Sequence, residues 1–214
     1  MAIRAVVFDL GGVVLPSPLD VFRAYEARHR LPHRFLSEVV IDTGDQGAWS
    51  RFERGELDVE GFAVAFEAEC AAAGGAVVVA DLLNEIGMGS GPRPEMLAAL
   101  HQIRAHGLAT AALTNNWSTG DDHQMGTHYP EMVALFDVIV ESAVEGLRKP
   151  DPRIYQLVCD RVGVTPDEAA FLDDLGVNLK AARELGMTTI KVSDPATALA
   201  ELETVLGFAL VAVH

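Results

Sequence analysis

Carboxylate side chains follow two apolar runs that lie far apart in the sequence. Asp9 comes directly after the run AVVF, and Asp173 and Asp174 come after AAFL, with glycines close behind in both places. Apolar runs that end in an acid and a glycine turn are typical of buried parallel strands. In an open α/β sheet, ligands bind outside the carboxyl ends of the strands. Acids delivered there by two strands predict a hard metal ion and phosphate chemistry.

A hydroxyl and two amides stand at the end of another predicted strand. Thr114, Asn115 and Asn116 close the apolar run that begins at Leu108. Side chains of these types can donate hydrogen bonds to an oxyanion, although they also begin helices well. They are therefore candidates for holding a phosphoryl group.

Lys149 and Asn178 complete the set of polar candidates. Lys149 precedes Pro150, and its ammonium could reach a phosphate or neutralise a neighbouring carboxylate. The adjacent acids Asp173 and Asp174 repel each other unless a cation or hydrogen-bond donors compensate. Asn178 lies one helical turn after Asp174, and we expect it to orient that second acid.

Five β-type runs must position these residues, and helical patterns separate them. The predicted strands cover Arg4–Asp9, Leu108–Thr114, Asp137–Val140, Ala169–Asp173 and Thr188–Val192. The helical patterns of this part cover Arg93–Ala105, Pro152–Val162, Leu179–Leu185 and Ala196–Leu206. Strands that alternate with helices indicate right-handed βαβ units, and so predict an α/β fold with a doubly wound, Rossmann-like parallel sheet.

Residues 16–90 interrupt this alternation. They contain helical patterns at Leu19–Arg30 and Val59–Ala73, and no run there reads as a strand ended by an acid. About 75 residues are far too many for an ordinary connection between a strand and a helix. The sequence therefore predicts a helical cap domain at 16–90, inserted after the first strand, and an α/β core made of 1–15 and 91–214.

The composition limits the partners that this chain can have. Half of its 214 residues are hydrophobic, and its net charge of −15 argues against nucleic acid or an anionic membrane. No apolar run approaches the ~20 residues that a membrane span needs, and we expect no signal peptide because the start MAIRAVVFD already reads as a strand, without a basic n-region and cleavage site. Cys70 and Cys159 lack metal-ligand spacing and are predicted to be reduced, buried thiols. We expect a cytoplasmic protein that binds a small phosphorylated molecule; its oligomeric state stays open, and a homodimer is one option.

The order of these polar groups resembles the signature of the haloacid dehalogenase-like hydrolase superfamily. The likeness runs from end to end of the chain. The segments FDLGGVVLPSP, LTNNW, VESAVEGLRKPDPRIY, FLDDLGVNLKAARELGM and KVSDPATALAELE resemble two kinds of domain in particular. These are the phosphatase-like N-terminal domains of bifunctional soluble epoxide hydrolases and of acyl-CoA dehydrogenase family member ten.

This resemblance implies a phosphatase that depends on Mg²⁺. Asp9 would be the nucleophile and would form an aspartyl-phosphate. Magnesium would be held by Asp9, the backbone carbonyl of Gly11 and Asp174, with Asp173 supporting the site.

The same resemblance implies which residues bind the substrate. Thr114 and Asn115 would hold the phosphoryl oxygens, and Asn116 would lie beside them. Lys149 would neutralise charge between the nucleophile and the phosphate. A carboxylate attacks a phosphate dianion poorly unless Mg²⁺ and an ammonium cancel the repulsion.

Gly11 departs from the superfamily pattern. Most phosphatases of the superfamily carry Asp at this position, two residues after the nucleophile, as a general acid and base. Its loss reduces the rate by about 10²–10⁴ if nothing replaces it. Phosphate esters with leaving groups of low pKa need this help least. His123 and His128 follow the Asn116 loop and are candidate replacements, since histidine titrates in the right range.

Three other activities remain open. Haloacid dehalogenases of this superfamily also use a strand-one Asp, but they resemble SSN where this chain has Asp173 and Asp174, and they use no metal. A nearly silent domain that binds a phosphometabolite or a protein is compatible with Gly11, although several costly polar groups at one site oppose it. A phosphotransferase would result if water attacked the aspartyl-phosphate slowly.

The predicted cap holds candidates for substrate contact in the segment GAWSRFERGE. These are Trp49, Arg51, Phe52 and Arg54, an aromatic and guanidinium set that could grip a substrate. The competing interpretation is an amphipathic helix that buries Trp49 and Phe52.

Overall fold

The structure is a computed structural model that describes residues 2–87, 91–117 and 129–210. Within these ranges five strands form a single sheet: β1 Ala5–Phe8, β2 Ala109–Thr114, β3 Val138–Glu141, β4 Ala169–Asp173 and β5 Thr188–Lys191. All neighbouring strands are parallel, in the order β3-β2-β1-β4-β5. The predicted doubly wound α/β fold is therefore confirmed.

Eleven α-helices occur in the described part of the chain. They are α1 Pro18–His29, α2 Phe35–Thr43, α3 Ala48–Glu53, α4 Val59–Ala72, α5 Val79–Gly87, α6 Pro94–Ala105, α7 Pro130–Val133, α8 Ser142–Glu145, α9 Pro152–Val162, α10 Gly176–Glu184 and α11 Pro195–Leu206. None of these helices combines the length and the apolar character that crossing a membrane requires.

Local sequence explains where the longer helices begin. Ser17 precedes α1, and its hydroxyl accepts a hydrogen bond from the Leu19 amide at 3.3 Å. Asp194 does the same for α11 by accepting from the Thr197 amide at 2.9 Å. A proline follows each cap residue, where its missing N–H costs nothing.

The sheet is buried on both faces. Val6 and Phe8 belong to the hydrophobic cluster that packs under α6 and α11, whereas Val7 belongs to the cluster under α9 and α10. This division follows from the two-residue period of a strand. Every residue of β4 is buried, which explains why its sequence reads as a continuous apolar run.

Helices α1 to α5, which we call the helical segment, share a third hydrophobic cluster of their own. Its fully buried members include Tyr25, Phe62 and Phe66. Trp49 and Phe52 are also in this cluster, 6% and 0% exposed, which supports the amphipathic-helix interpretation of α3. The sequence anticipated α1 and α4 closely, whereas α2 and α5 were not predicted.

The register of the sheet brings the strand-end acids together. Phe8 of β1 pairs with Leu172 of β4, so the residues that follow them, Asp9 and Asp173, occupy the same row. Neighbouring strands lie about 4.8 Å apart, which is close enough for one cation to contact both carboxylates. The edge of the sheet that carries these acids is therefore the place to look for chemistry.

Candidate active site

Lys149 lies between two carboxylates at the carboxyl edge of the sheet. Its Nζ is 2.8 Å from Asp9 Oδ1 and 2.8 Å from Asp173 Oδ2. All three side chains are buried, with 1% of Lys149, 7% of Asp9 and 0% of Asp173 exposed. Buried charges of this kind are tolerated only when they are paired and hydrogen-bonded.

Asp173 is held from several directions in addition to Lys149. Its Oδ1 accepts from the Leu175 amide at 2.7 Å, and Asn178 Nδ2 lies 3.1 Å from each of its carboxylate oxygens. The prediction that Asn178 orients Asp174 is therefore wrong. Asn178 orients Asp173, because the turn of α10 returns its side chain to the first acid of the pair. With its oxygens engaged in this way, Asp173 is suited to a supporting role.

Asp174 differs from Asp173 in having few protein partners. Its Oδ2 accepts a long hydrogen bond of 3.4 Å from Ser17 Oγ, at the entrance to α1. Burial and the nearby Asp173 charge raise the pKa of Asp174 to about 6. A carboxylate that is buried away from water and has few hydrogen-bond donors in its place is suited to binding a cation.

The pKa values of Asp9 and Lys149 are shifted by burial and by the neighbouring charges. Burial raises the pKa of Asp9 well above its usual value, and the charges of Asp173 and Asp174 add to this effect against the opposing effect of Lys149. Burial acts to lower the pKa of Lys149, but Asp9 and Asp173 outweigh it and hold that pKa above its usual value. One ammonium thus stands against three carboxylates, two of which it contacts, and the cluster carries excess negative charge.

The cluster fits a divalent cation. One carboxylate oxygen from each of Asp9, Asp173 and Asp174 can be chosen so that all lie within 4.8 Å of one another. Hard oxygen donors of this kind are the ligands that Mg²⁺ prefers. Such an ion would also offset the charge that Lys149 leaves uncompensated.

Thr114 and Asn115 adjoin the cluster from the end of β2. Thr114 is buried, and among the described residues its hydroxyl makes only a long contact of 3.5 Å with the Asn115 carbonyl. Asn115 instead holds the backbone of Lys149, since its Oδ1 accepts from the Lys149 amide at 2.8 Å and its Nδ2 donates to the Lys149 carbonyl at 3.1 Å. Thr114 can therefore still donate to a ligand, whereas the Asn115 amide fixes the loop that carries the lysine.

Asn116 points into the protein rather than toward the acids. Its Nδ2 donates to Glu141 at 2.6 Å, and its backbone amide donates to Ser142 Oγ at 2.9 Å. Its assignment to substrate binding stays a prediction, and a substrate would have to compete with Glu141. The other candidates after this loop, His123 and His128, lie outside the described residues.

The two candidate arginines at the end of α3, Arg51 and Arg54, are paired with a neighbouring acid. Arg54 Nε lies 2.6 Å from Glu56, and Arg51 Nε lies 3.4 Å from the same carboxylate. Another residue of α3, Glu53, contacts the loop that carries Lys149. Its Oε2 lies 2.7 Å from Arg148 Nε. The sequence analysis missed both, although Arg148 precedes Lys149 directly and Glu53 lies one helical turn after Trp49.

Two adjacent glycines behave differently at this site, and the difference is testable. Gly12 has φ +83°, and a Cβ there would overlap the carboxylate of Asp174. A Cβ at Gly11 would only contact Pro18 Cδ at 3.2 Å, with no such φ restriction. Gly12→Ala should therefore cost about 1–3 kcal/mol in unfolding free energy and displace Asp174. Gly11→Ala is the matched control.

Thermal unfolding with increasing Mg²⁺ measures both effects. We expect Gly12→Ala to need at least about tenfold more Mg²⁺ for the same rise in Tm, a loss of ~1.4 kcal/mol in binding. Gly11→Ala should follow the unsubstituted protein. Equal Mg²⁺ responses in the two variants would contradict the close approach of Asp174 to Gly12.

The chain is similar in sequence to proteins of one family. A family model described as haloacid dehalogenase-like hydrolase matches residues 3–186. Acyl-CoA dehydrogenase family member 10 of Mus musculus is 44% identical over 212 residues, which cover 97% of this chain and 19% of that protein. Bifunctional epoxide hydrolase 2 of Sus scrofa is 37% identical, over 98% of this chain and 40% of its own length. The chain thus spans about a fifth and two-fifths of these two relatives.

Other matches extend over whole proteins. The sesquiterpene phosphatase astK of Aspergillus oryzae is 26% identical, over 95% of this chain and 97% of its own length. A solved structure with the same fold is that of a haloacid dehalogenase family enzyme from Bacteroides thetaiotaomicron, in complex with magnesium and inorganic phosphate. It has a TM-score of 0.61 and 20% identity, over 89% of this chain and 94% of that one.

Proposed function

Because this chain belongs to the haloacid dehalogenase-like hydrolases, we propose that it is a Mg²⁺-dependent phosphatase of small phosphorylated metabolites. The nucleophile in this proposal is Asp9. The observation that carries it is the buried cluster in which Lys149 Nζ lies 2.8 Å from both Asp9 and Asp173, with Asp174 beside them. Packing alone gives no reason to place four charged groups there, since each is costly to bury.

The chain's own residues supply a route for phosphoryl transfer. The Asp9 oxygen attacks phosphorus, the bond from phosphorus to the leaving oxygen breaks, and an acyl phosphate forms on Asp9. Lys149 stabilises the charge between the carboxylate and the incoming phosphate, and the Thr114 hydroxyl donates to a phosphoryl oxygen. Water then attacks the phosphorus, which releases inorganic phosphate and regenerates the Asp9 carboxylate.

We propose that Asp9, the backbone carbonyl of Gly11 and Asp174 hold Mg²⁺, with Asp173 in support. The bound ion would neutralise charge on the phosphoryl oxygens and help to orient them. The few protein contacts of Asp174 and the excess negative charge of the cluster support this assignment. Asp173 is already engaged with Lys149 and Asn178, so it would act mainly by fixing the lysine.

Two relatives are consistent with phosphate chemistry. The fungal relative of matching length bears the name of a phosphatase, and the Bacteroides enzyme was solved with magnesium and inorganic phosphate. The acid pair Asp173 and Asp174 favours this activity over dehalogenation, which has no use for a metal-binding pair.

The direct test is phosphate release by the purified protein. p-Nitrophenyl phosphate, sugar phosphates and acyl phosphates would each be assayed with Mg²⁺ and with EDTA. We expect release that requires Mg²⁺, and the order of rates across the panel would define the substrate class. Halide release from 2-haloacids without metal, in the absence of phosphate release, would assign the chain to dehalogenation instead.

Gly11 favours a second candidate, a domain that binds a phosphometabolite or a protein with little turnover. Position 11 has no carboxyl group, which as an acid would protonate the leaving group and as a carboxylate would activate water. This candidate predicts that Mg²⁺ raises the Tm while no substrate in the panel releases phosphate.

Gly11→Asp tests whether the missing acid limits the rate. Position 11 accepts a Cβ with a small shift of Pro18, so the variant should fold. We expect turnover of alkyl phosphates to rise about tenfold, a modest part of what a well-placed acid–base group contributes. Turnover of p-nitrophenyl phosphate, whose leaving group needs little protonation, should rise less. Rates that do not rise for any alkyl phosphate would show that the acid is not limiting, and Gly11→Asn controls for side-chain volume.

A further inference from the structure

Glu53 is a buried carboxylate of α3 that the phosphoryl-transfer route does not use. It is 8% exposed, and its two oxygens have different partners. Trp49 Nε1 donates to Oε1 at 2.9 Å, within the helical segment. Arg148 Nε donates to Oε2 at 2.7 Å, and Asn115 Nδ2 approaches the same oxygen at 3.4 Å.

The two partners of Glu53 that lie outside the helical segment, Arg148 and Asn115, are both connected to Lys149. Arg148 is the residue before it in the chain. Asn115 bonds to both the amide and the carbonyl of Lys149, at 2.8 Å and 3.1 Å. The Glu53 carboxylate therefore contacts both Asn115, which holds the backbone of Lys149, and Arg148, which precedes Lys149 in the chain.

Packing around Glu53 keeps α3 against the sheet's loops. Phe52 stacks on Trp117, which follows β2, with ring centroids 5.6 Å apart and planes 19° apart. Gly55 has φ +69° and approaches the carbonyl of Ala143 so closely that a Cβ there would lie 2.5 Å from its oxygen. An aromatic stack and a close backbone contact thus flank the ion pair, and the position of Glu53 depends on this docked arrangement.

We propose that Glu53 is a positioning residue that holds the Lys149 loop through Arg148 and Asn115, so that the active site is complete only while the helical segment is docked. The inference rests on the proposed function for its catalytic readout. A displacement of about 1 Å at a catalytic group can cost about 100-fold in rate, so loss of this support should be visible in turnover.

Glu53→Gln and Glu56→Gln form a matched pair for the test. Both remove one negative charge near the end of α3, and both carboxylates pair with arginine. Glu56 is exposed and contacts neither Arg148 nor Asn115 among the described residues. With p-nitrophenyl phosphate we expect kcat of Glu53→Gln to fall at least tenfold with KM within threefold, and Glu56→Gln to stay within twofold. Equal kcat values for the two variants would overturn the proposal.

A double-mutant cycle with Arg148→Gln separates positioning from general destabilisation. Since Glu53 acts through Arg148, the double variant should lose no more kcat than the worse single variant. Losses that multiply would mean that the two residues act independently, against the proposal. A loss confined to alkyl phosphates, absent with p-nitrophenyl phosphate, would make Glu53 a proton donor and would also overturn it.

Amide hydrogen exchange tests the same contact without any turnover. The Lys149 amide donates to Asn115 Oδ1, so its exchange reports whether Asn115 stays fixed. We expect at least tenfold faster exchange at Lys149 in Glu53→Gln and no change in Glu56→Gln. If the unsubstituted protein releases no phosphate, the proposed function fails, and this exchange alone decides the inference: unchanged exchange overturns it.

Discussion

Asp9→Asn is expected to reduce Mg²⁺-dependent phosphate release by about 10⁴–10⁶, the scale on which removing a covalent nucleophile acts. An amide oxygen cannot form the acyl phosphate on which the proposed route depends. Asparagine has the shape of aspartate, and its Oδ1 can still accept from the Leu10 amide and from Lys149, which now lie 2.7 Å and 2.8 Å from Asp9 Oδ1. The variant should therefore fold, as far-UV circular dichroism would show.

The control for this substitution is Asp20→Asn. Asp20 is exposed in the first turn of α1 and pairs with Arg23 within the same helix. This variant removes the same charge at an exposed position outside the acid cluster and should keep full activity. Each variant would be denatured in acid while it turns over substrate, which traps any acyl phosphate. Mass spectrometry should then find a phosphoryl group of 80 Da on the peptide that contains Asp9 in Asp20→Asn, and no such addition on the matching peptide of Asp9→Asn. Residual release above about 1% in Asp9→Asn, with EDTA still abolishing it, would mean that another residue or water attacks the phosphate.

The sequence could predict the sheet because each strand carries its own signal. Apolar runs such as AAFLD are buried on both faces, and the acids mark their carboxyl ends. The sequence carries no equally direct signal for which strands are neighbours. Acids at the ends of two strands can bind the same cation, however, only if those strands lie close together. The sequence therefore predicted one shared edge for these acids, and the structure adds that Asp9 and Asp173 follow the neighbouring strands β1 and β4.

The contacts that cross between the helical segment and the sheet could not be predicted in the same way. Glu53 looks like any acid on an amphipathic helix, and only the docking of α3 places it against Arg148. Asn178 illustrates a finer limit. Its spacing from Asp174 is one helical turn, but the helix begins only at Gly176, so the side chain reaches Asp173 instead.

Asn116 shows that residue type alone does not reveal the partners that a side chain already has within the protein. An amide at the end of β2 can donate to an oxyanion, and the sequence assigned it that role. In the structure its Nδ2 donates to Glu141 at the end of the neighbouring strand. Because β2 and β3 are paired in register at Thr114 and Glu141, a polar residue just beyond β2 can reach a partner at the end of β3.

Lys149→Met is expected to lower both stability and activity more than any other single cation replacement at this edge of the described sheet. Methionine keeps the length of the aliphatic stem, but it removes the ammonium, which Asp9 and Asp173 share and which lies 5.4 Å from the centroid of the Phe171 ring. Breaking a buried ion pair by removing one partner costs about 3–5 kcal/mol. For a domain of this size that corresponds to a fall in Tm of roughly 6–20 °C. Turnover should fall by about 10³, because the charge between nucleophile and phosphate is no longer offset.

The stability loss should depend on pH in a defined direction. The pKa of Lys149 is raised in the folded protein, so its stabilising contribution is complete below the usual lysine value near 10.4 and is lost only as pH rises through the folded pKa. The pKa values of Asp9 and Asp174 are also raised, the latter to about 6, so acidification protonates carboxyls that repel one another. The Tm deficit of Lys149→Met in EDTA should therefore be largest at pH 8 and smaller at pH 5.

Lys180→Met provides the comparison, since Lys180 is exposed on α10 and lies 3.9 Å from Glu184. Its Tm should differ little from that of the unsubstituted protein at either pH, because exposed ion pairs contribute only about 0–1 kcal/mol. Mg²⁺ should restore part of the Tm lost in Lys149→Met, since a cation at the acids replaces some of the missing positive charge. A deficit that is equal at pH 5 and pH 8, and insensitive to Mg²⁺, would mean that Lys149 stabilises the fold by packing and not by its charge.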